Sequence, residues 1–334
     1  MLNNKYIFLT LKSIETEFLY SDFNKLQNCQ LIAINRGNYI NRITRKIVKK
    51  YTEKGWFGFF VRTLTKRIVC EQVVNRLFYV EQNRYVFIIY ARVYESLGKT
   101  LVDEIRKKIP NAVLCVYFAD LQKNFAINLS AYKRDFDYLF SFDKKQAELY
   151  HLNYLLEPFS YKPMHESEIV PIYDITYVGR VKNDMKRHNA VMKVYQQCKE
   201  KGLKCDFHIV DVPKQLQLDC EDIEYNQFMS FEDVMKHVIQ SHAVLEILQT
   251  DEYSPTTRYS EACLYNRNII TNCEGIKDGF YKKDRNIYIL DDSFQIDTEW
   301  ITKNHKIDSD SYKKIFSIEK FIASIENVLN KKKN

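Results

Sequence analysis

The sequence predicts an α/β protein of two doubly wound halves, on three observations. Short apolar runs of four to seven residues alternate with helical patterns along the chain, which is the signature of parallel sheets covered on both faces. The alternation stops at a stretch holding Pro158, Pro163 and Pro171 among acids, then begins again. Finally, 334 residues suffice for two domains of ordinary size.

In the first half, Tyr6–Leu9, Leu31–Ile34, Tyr85–Ile89, Ala112–Phe118 and Tyr138–Ser141 read as strands. Gly98–Lys108 and Lys144–Leu149 read as helices, and Asn41–Asn83 as a helical stretch interrupted at Gly55–Gly58. After the proline-rich linker, Asp174–Val178 is a strand that Gly179 ends. Arg187–Lys201 is a helix capped by Gly202, and Cys205–Val210 is the next strand. Ser230-Phe-Glu-Asp233 opens a helix in the capping style. Ala243–Ile247 is a strand, followed by a polar loop, a short helix, and the strands Asn268–Thr271 and Asn286–Leu290. Ile315–Leu329 closes the series as an amphipathic helix. The expected division is therefore 1–158, 165–315, and a closing helix and tail at 316–334. Two such halves suggest Rossmann-like domains facing across a cleft, with ligands outside the carboxyl ends of the strands.

Composition narrows the class. Hydrophobic residues at 46% and aromatics at 14% exclude a disordered chain. The longest apolar stretch, near Tyr85–Ala91, is far short of a membrane span. Met1–Thr10 runs into a strand pattern and lacks the features of a signal peptide. The eight cysteines form no CxxC pair, which fits reduced structural thiols in a cytoplasm. The net charge of +7 is concentrated: nine Lys or Arg lie between Arg42 and Arg67 against one acid, Glu53. They flank Trp56, Phe57, Phe59 and Phe60. Such a cluster suits an anionic membrane surface, with rings at headgroup depth. It equally suits a helix–loop–helix whose aromatics are core. No nucleic-acid motif accompanies the basic run, so no nucleic-acid partner is expected.

The chemistry concentrates in the second half. In Ser254–Asn272, a polar loop feeds a helix start, where free N–H groups and the helix dipole suit a phosphate. Arg258 and Glu261 lie three apart on one helix face; they offer an arginine for phosphate and a carboxylate for ribose hydroxyls. In Val178-Gly-Arg-Val-Lys182, Gly179 lets the backbone approach a ligand, and Arg180 and Lys182 are cations for a diphosphate. GxGxxG is absent, which argues against a dinucleotide site. Asp135-Phe-Asp137 and Asp308-Ser-Asp310 match Asp-x-Asp but lack convergent oxygens, and the histidines lack zinc-site spacing. No metal ligand is assigned, and no strict metal need is expected. Residues 1–150 contain no His, so a base there is Asp or Glu. Asp120, directly after a strand, is the candidate catalytic base, with a turn or cap carboxylate as its structural reading.

Taken in order, Phe136–Tyr150, Pro158-Phe-Ser-Tyr161, Tyr173–Arg180, Ala243–Leu248, Thr257-Arg-Tyr-Ser-Glu-Ala262 and Ile269-Ile-Thr-Asn272 form a series. It resembles bacterial glycosyltransferases of the GT-B fold that act in capsular polysaccharide and lipopolysaccharide assembly. The resemblance covers roughly 112–290. It implies a C-terminal domain for a nucleoside-diphosphate sugar donor and an N-terminal domain for a lipid-linked or oligosaccharide acceptor. By the same resemblance, Gly179 and Arg180 lie near the diphosphate, Thr256, Thr257 and Arg258 form the phosphate loop and helix start, and Glu261 takes the ribose. Many relatives have Gly-Leu-Thr where this chain has Ser254-Pro-Thr-Thr257, and Pro255 removes an N–H donor. The implied protein is a cytoplasmic transferase, peripheral at the inner face of the membrane; a catalytically silent donor-binding or scaffold protein of the same fold is the alternative.

Overall fold

The computed structural model describes residues 3–34, 55–77, 82–164, 170–181, 184–278, 285–303, 305 and 307–331, without the side chains of 55–62 and 65. The described chain forms two compact units. Met1–Phe142, Gln146–Leu156 and Ile322–Asn334 make the first; Asp143–Lys145 and Glu157–Phe321 make the second.

The first unit begins with β1 (Asn3–Leu11), α1 (Ile14–Leu19), β2 (Cys29–Ile34) and α2 (Gly55–Asn75). It continues with β3 (Asn83–Tyr90), α3 (Ala91–Leu97), α4 (Lys99–Lys108), β4 (Val113–Phe118) and α5 (Leu129–Asp135). β5 (Tyr138–Ser141), α6 (Lys144–Tyr150) and β6 (Asn153–Tyr154) follow. The strands form one parallel sheet in the order β2-β1-β3-β4-β5-β6. Both faces of such a sheet are covered, which is why β3 and β4 read as near-continuous apolar runs. Phe87, Ile88, Ile89, Leu114, Cys115 and Val116 have no exposure at all. The expected interruption at Gly55–Gly58 is corrected: both glycines lie inside the opening turns of α2. The basic stretch 42–54 lies outside the described residues, as do the side chains of Trp56, Phe57, Phe59 and Phe60.

The second unit contains β7 (Tyr173–Arg180), α7 (Met185–Glu200), β8 (Cys205–Val210), β9 (Ile223–Tyr225), α8 (Phe231–Ile239) and β10 (Ser241–Glu246). Then come α9 (Thr257–Leu264), β11 (Asn268–Thr271), β12 (Ile287–Ile289), α10 (Thr298–Ile301) and α11 (Ser309–Ile315). The last helix, α12 (Ile318–Lys331), starts in the second unit and ends in the first. Its Ile318, Phe321, Ile322, Ile325 and Leu329 are all buried, at the spacing of a helix with one apolar stripe. The second sheet is parallel throughout, in the order β12-β11-β10-β7-β8-β9. This is the doubly wound arrangement of dinucleotide-binding halves, and its topological switch point lies between β7 and β10. Gly202 (φ +71°) follows α7 in a left-handed conformation, as expected, and its N–H reaches the Lys199 carbonyl. The eight cysteines are free thiols, six of them inside strands or helices.

Candidate functional site

The loop before α9 is fixed by buried carboxylates. Glu246 ends β10 almost fully buried. Its Oε1 accepts from Thr256 N at 2.9 Å and Thr256 Oγ1 at 2.6 Å, and its Oε2 from Thr271 Oγ1 at 2.7 Å. Burial raises this carboxyl above the ordinary glutamate range despite these donors. Asp143 Oδ2 accepts from Tyr253 N at 2.7 Å and Ser254 N at 2.8 Å, while Ser254 Oγ accepts from Lys144 N. Thr256 caps α9 by accepting from Arg258 N at 3.2 Å. The expectation that this loop offers free backbone N–H groups is therefore narrowed. Those of Tyr253, Ser254 and Thr256 are taken, and Pro255 has none. What remains for an anion is the Thr257 N–H, the dipole of α9 and side-chain cations.

Arg258 and Glu261 do share a face of α9, and Arg258 Nη1 donates to Glu261 Oε2. The pair is not a surface one: the Glu261 side chain is fully buried and that of Arg258 is 20% exposed. Arg258→Ala should consequently cost about 2 kcal/mol of stability. That is below the roughly 3–5 kcal/mol of a fully buried pair, since the guanidinium keeps some water. Denaturant unfolding checks this; an unchanged midpoint would contradict it.

At the switch point, a cavity of about 730 Å³ opens among the segments that follow β10, β11 and β12 and the first turns of α7. This is where doubly wound sheets bind ligands. Asp184 caps α7 from the cavity wall, accepting from Arg187 N at 3.0 Å, Thr250 N at 3.2 Å and Thr250 Oγ1 at 3.0 Å. Burial opposes its charge, yet these donors hold its carboxyl below the ordinary range. Lys145, Lys186, Arg187, Lys193 and Lys277 bring cations to the same space. Arg187 Nε is buried without a hydrogen-bond partner, and Arg187 makes no ion pair among the described residues. A guanidinium in that state suits an anion such as a diphosphate.

Other assigned residues fall elsewhere. β7 runs on through Gly179 and Arg180, which pair with Ile209 and Val210, so the strand does not end at Gly179. A Cβ on Gly179 would sit 2.6 Å from the Tyr177 hydroxyl, so glycine here makes room for that ring. Arg180 pairs with Asp211 at 3.2 Å on an exposed surface, and Lys182 lies outside the described residues. Thr256, Thr257, Arg258 and Glu261 come together at the start of α9 but do not line the cavity. Asp120 belongs to the first unit. Its Oδ1 accepts from Leu121 N and Asn124 Nδ2, and its Oδ2 from Arg92 Nη2 at 3.0 Å. Asp135 accepts from Tyr94 and Arg134, and Asp137 from Leu114 N and Arg106. Asp308 caps α11, and Asp310 pairs with Lys313. Sequence reasoning missed Glu246, Asp143 and Arg187, the residues that fix the loop and charge the cavity.

No known family and no curated protein matches the sequence. Solved structures do match the fold. α,α-Trehalose 6-phosphate synthase from Burkholderia multivorans superposes with a TM-score of 0.53 at 7% identity, over 99% of this chain and 98% of that one. An α-glucosyltransferase in complex with UDP and a 13-mer DNA superposes with a TM-score of 0.50 at 11% identity, over 95% and 91%. The chain thus has the two-domain α/β fold of GT-B glycosyltransferases.

Proposed function

We propose that this protein is a glycosyltransferase that moves a sugar from a nucleoside-diphosphate sugar to a hydroxyl of a lipid-linked or oligosaccharide acceptor in cell-surface polysaccharide assembly. The observation that carries the reading is the cation-lined cavity at the switch point of the second sheet, with Arg187 in its wall and the Nε of that guanidinium buried without a hydrogen-bond partner. Leaving-group charge on the diphosphate needs preorganised cations and dipoles. Arg187, Lys186 and Lys193 are placed on one wall for that, with Arg258 and the α9 dipole assigned to the donor from the sequence. From the sequence, Glu261 is assigned the ribose hydroxyls, which it reaches only if its buried carboxylate is uncovered.

A thermal-shift screen of UDP-, GDP-, CMP- and dTDP-sugars tests the donor half, because a ligand that binds only the folded state raises its melting temperature. No shift with any of them would remove the proposal. A donor that shifts melting but is neither transferred nor hydrolysed would support the catalytically silent alternative. The engagement of both Asp120 oxygens favours that second reading. If Asp120 is the base, Asp120→Asn lowers kcat by about 10²–10⁴ in a folded protein. Unchanged kcat assigns the carboxylate to bracing its loop.

Transfer is expected to survive EDTA. The cavity cations take the role of a metal, and the Asp-x-Asp carboxylates are engaged by neighbouring residues. Complete loss in EDTA, restored by Mg²⁺ or Mn²⁺, would contradict this. For the acceptor, we propose docking on anionic membrane through 42–67. Leu64 and Ile68, one helical turn apart on α2, are 49% and 42% exposed, which supports an apolar face on the helix that carries Lys66 and Arg67. No helix among the described residues is long and apolar enough to cross a membrane. Binding to anionic vesicles that weakens with salt is the expected behaviour.

A further inference from the structure

A cluster of imidazoles and carboxylates on the second sheet plays no part in the donor site. Asp206 and His208 lie two apart on β8, so they share a face of the sheet. His237, in the last turn of α8, packs over them with its ring 4.4 Å from that of His208. Asp206 Oδ1 is 2.9 Å from His208 Nε2, and its Oδ2 is 2.7 Å from His237 Nδ1. The three ligand atoms all lie within 4.8 Å of one another. None of these residues lines the cavity at the switch point.

We infer that Asp206, His208 and His237 bind a divalent transition metal of the zinc type, through one carboxylate oxygen, Nε2 and Nδ1. Two imidazoles and a carboxylate are a donor set that suits zinc and its neighbours rather than magnesium or calcium. Tetrahedral ligation at about 2.0–2.1 Å sets ligand atoms about 3.3 Å apart, so ligand atoms within 4.8 Å of one another need to move by about 1.5 Å at most.

The surroundings point the same way. Strand register sets Thr176 of β7 beside Asp206 and Glu224 of β9 beside His208. Thr176 Oγ1 donates to Asp206 Oδ2 at 3.0 Å, which orients that carboxylate. The His208 side chain is 9% exposed, and its Nδ1 is buried without a hydrogen-bond partner, 3.4 Å from Glu224 Oε2. With Nε2 on a metal, Nδ1 carries the proton and faces a carboxylate, the outer-shell arrangement that fixes a ligating imidazole. Asp206 and Glu224 together balance a divalent charge. The His237 side chain is 25% exposed and that of Glu224 60%, so an ion can enter from solvent. The metal would tie β8 to α8.

The test uses the full chain, free of any tag and dialysed against EDTA, titrated with Co²⁺ and then Zn²⁺. One equivalent of Co²⁺ with a visible spectrum of four-coordination, displaced by Zn²⁺, is expected, with a rise in melting temperature. His237→Gln keeps an N–H toward Asp206 but offers no imidazole; it should fold and lose that equivalent. His208→Gln should lose it too. Glu224→Gln should weaken binding by about 10–100-fold. Absence of a stoichiometric site, or an equivalent retained in folded His237→Gln, would overturn the proposal and leave a cluster bridged by protons alone.

Discussion

Glu246→Ala is expected to destabilise the protein by about 3 kcal/mol, since it strips three donors of their acceptor in a buried site. For a domain of this size the melting temperature should fall by roughly 6–12 °C. The loop 253–256 loses one of its two carboxylate anchors, so nucleotide affinity should fall as well. Glu246→Gln preserves shape and one acceptor and should fall between the two. The ionisation of Glu246 adds a signature of its own. Its folded carboxyl is raised above the ordinary range, so the folded state holds the proton more tightly than the unfolded chain. This contribution is present at low pH and is lost as pH rises through the folded value. A pH series of denaturant unfolding should show that decline in wild type and not in Glu246→Gln. An alanine variant as stable as wild type would sink the anchoring role.

Arg187→Ala is expected to lower kcat by about 10²–10³ with little change in the fold. A preorganised donor aimed at developing charge is worth about 3–4 kcal/mol in the transition state. Arg187 is the cavity cation whose buried Nε has no hydrogen-bond partner. Arg180→Ala is the contrast. Its exposed pair with Asp211 is worth about 0–1 kcal/mol to stability, and the residue does not line the cavity. Steady-state kinetics on both variants decide between them. A larger loss for Arg180 than for Arg187 would return the diphosphate to the end of β7.

The strands were legible because a strand buried on both faces needs an apolar residue at nearly every position, and that signal is local. β5, β8 and β11 run over the residues expected. β6 and β9, of two and three residues, are too short to carry a pattern, and exist because a neighbouring strand already offers its hydrogen bonds. α3 was missed because it follows β3 without a polar break. At the site, the helix start with Thr256 and Arg258 was legible, since capping chemistry acts over two or three residues. Glu246 was not. It sits at the end of an apolar run, and its role depends on Thr256 ten residues on and Thr271 twenty-five on. Arg187 reads as an ordinary helix residue until four separate segments close a cavity beside it.

The return of α12 to the first unit sets an order for assembly on the ribosome. Residues 157–321 of the second unit are one continuous stretch, and nothing after Phe321 belongs to that unit. The first unit cannot. Tyr6 on β1 donates its hydroxyl to Glu326, 320 positions later. At about 5–20 residues per second, that partner arrives roughly 16–64 s after the tyrosine. During that interval the oldest part of the chain lacks its last helix, and a released chain truncated after Phe321 should present a native second unit beside a first unit still sensitive to protease.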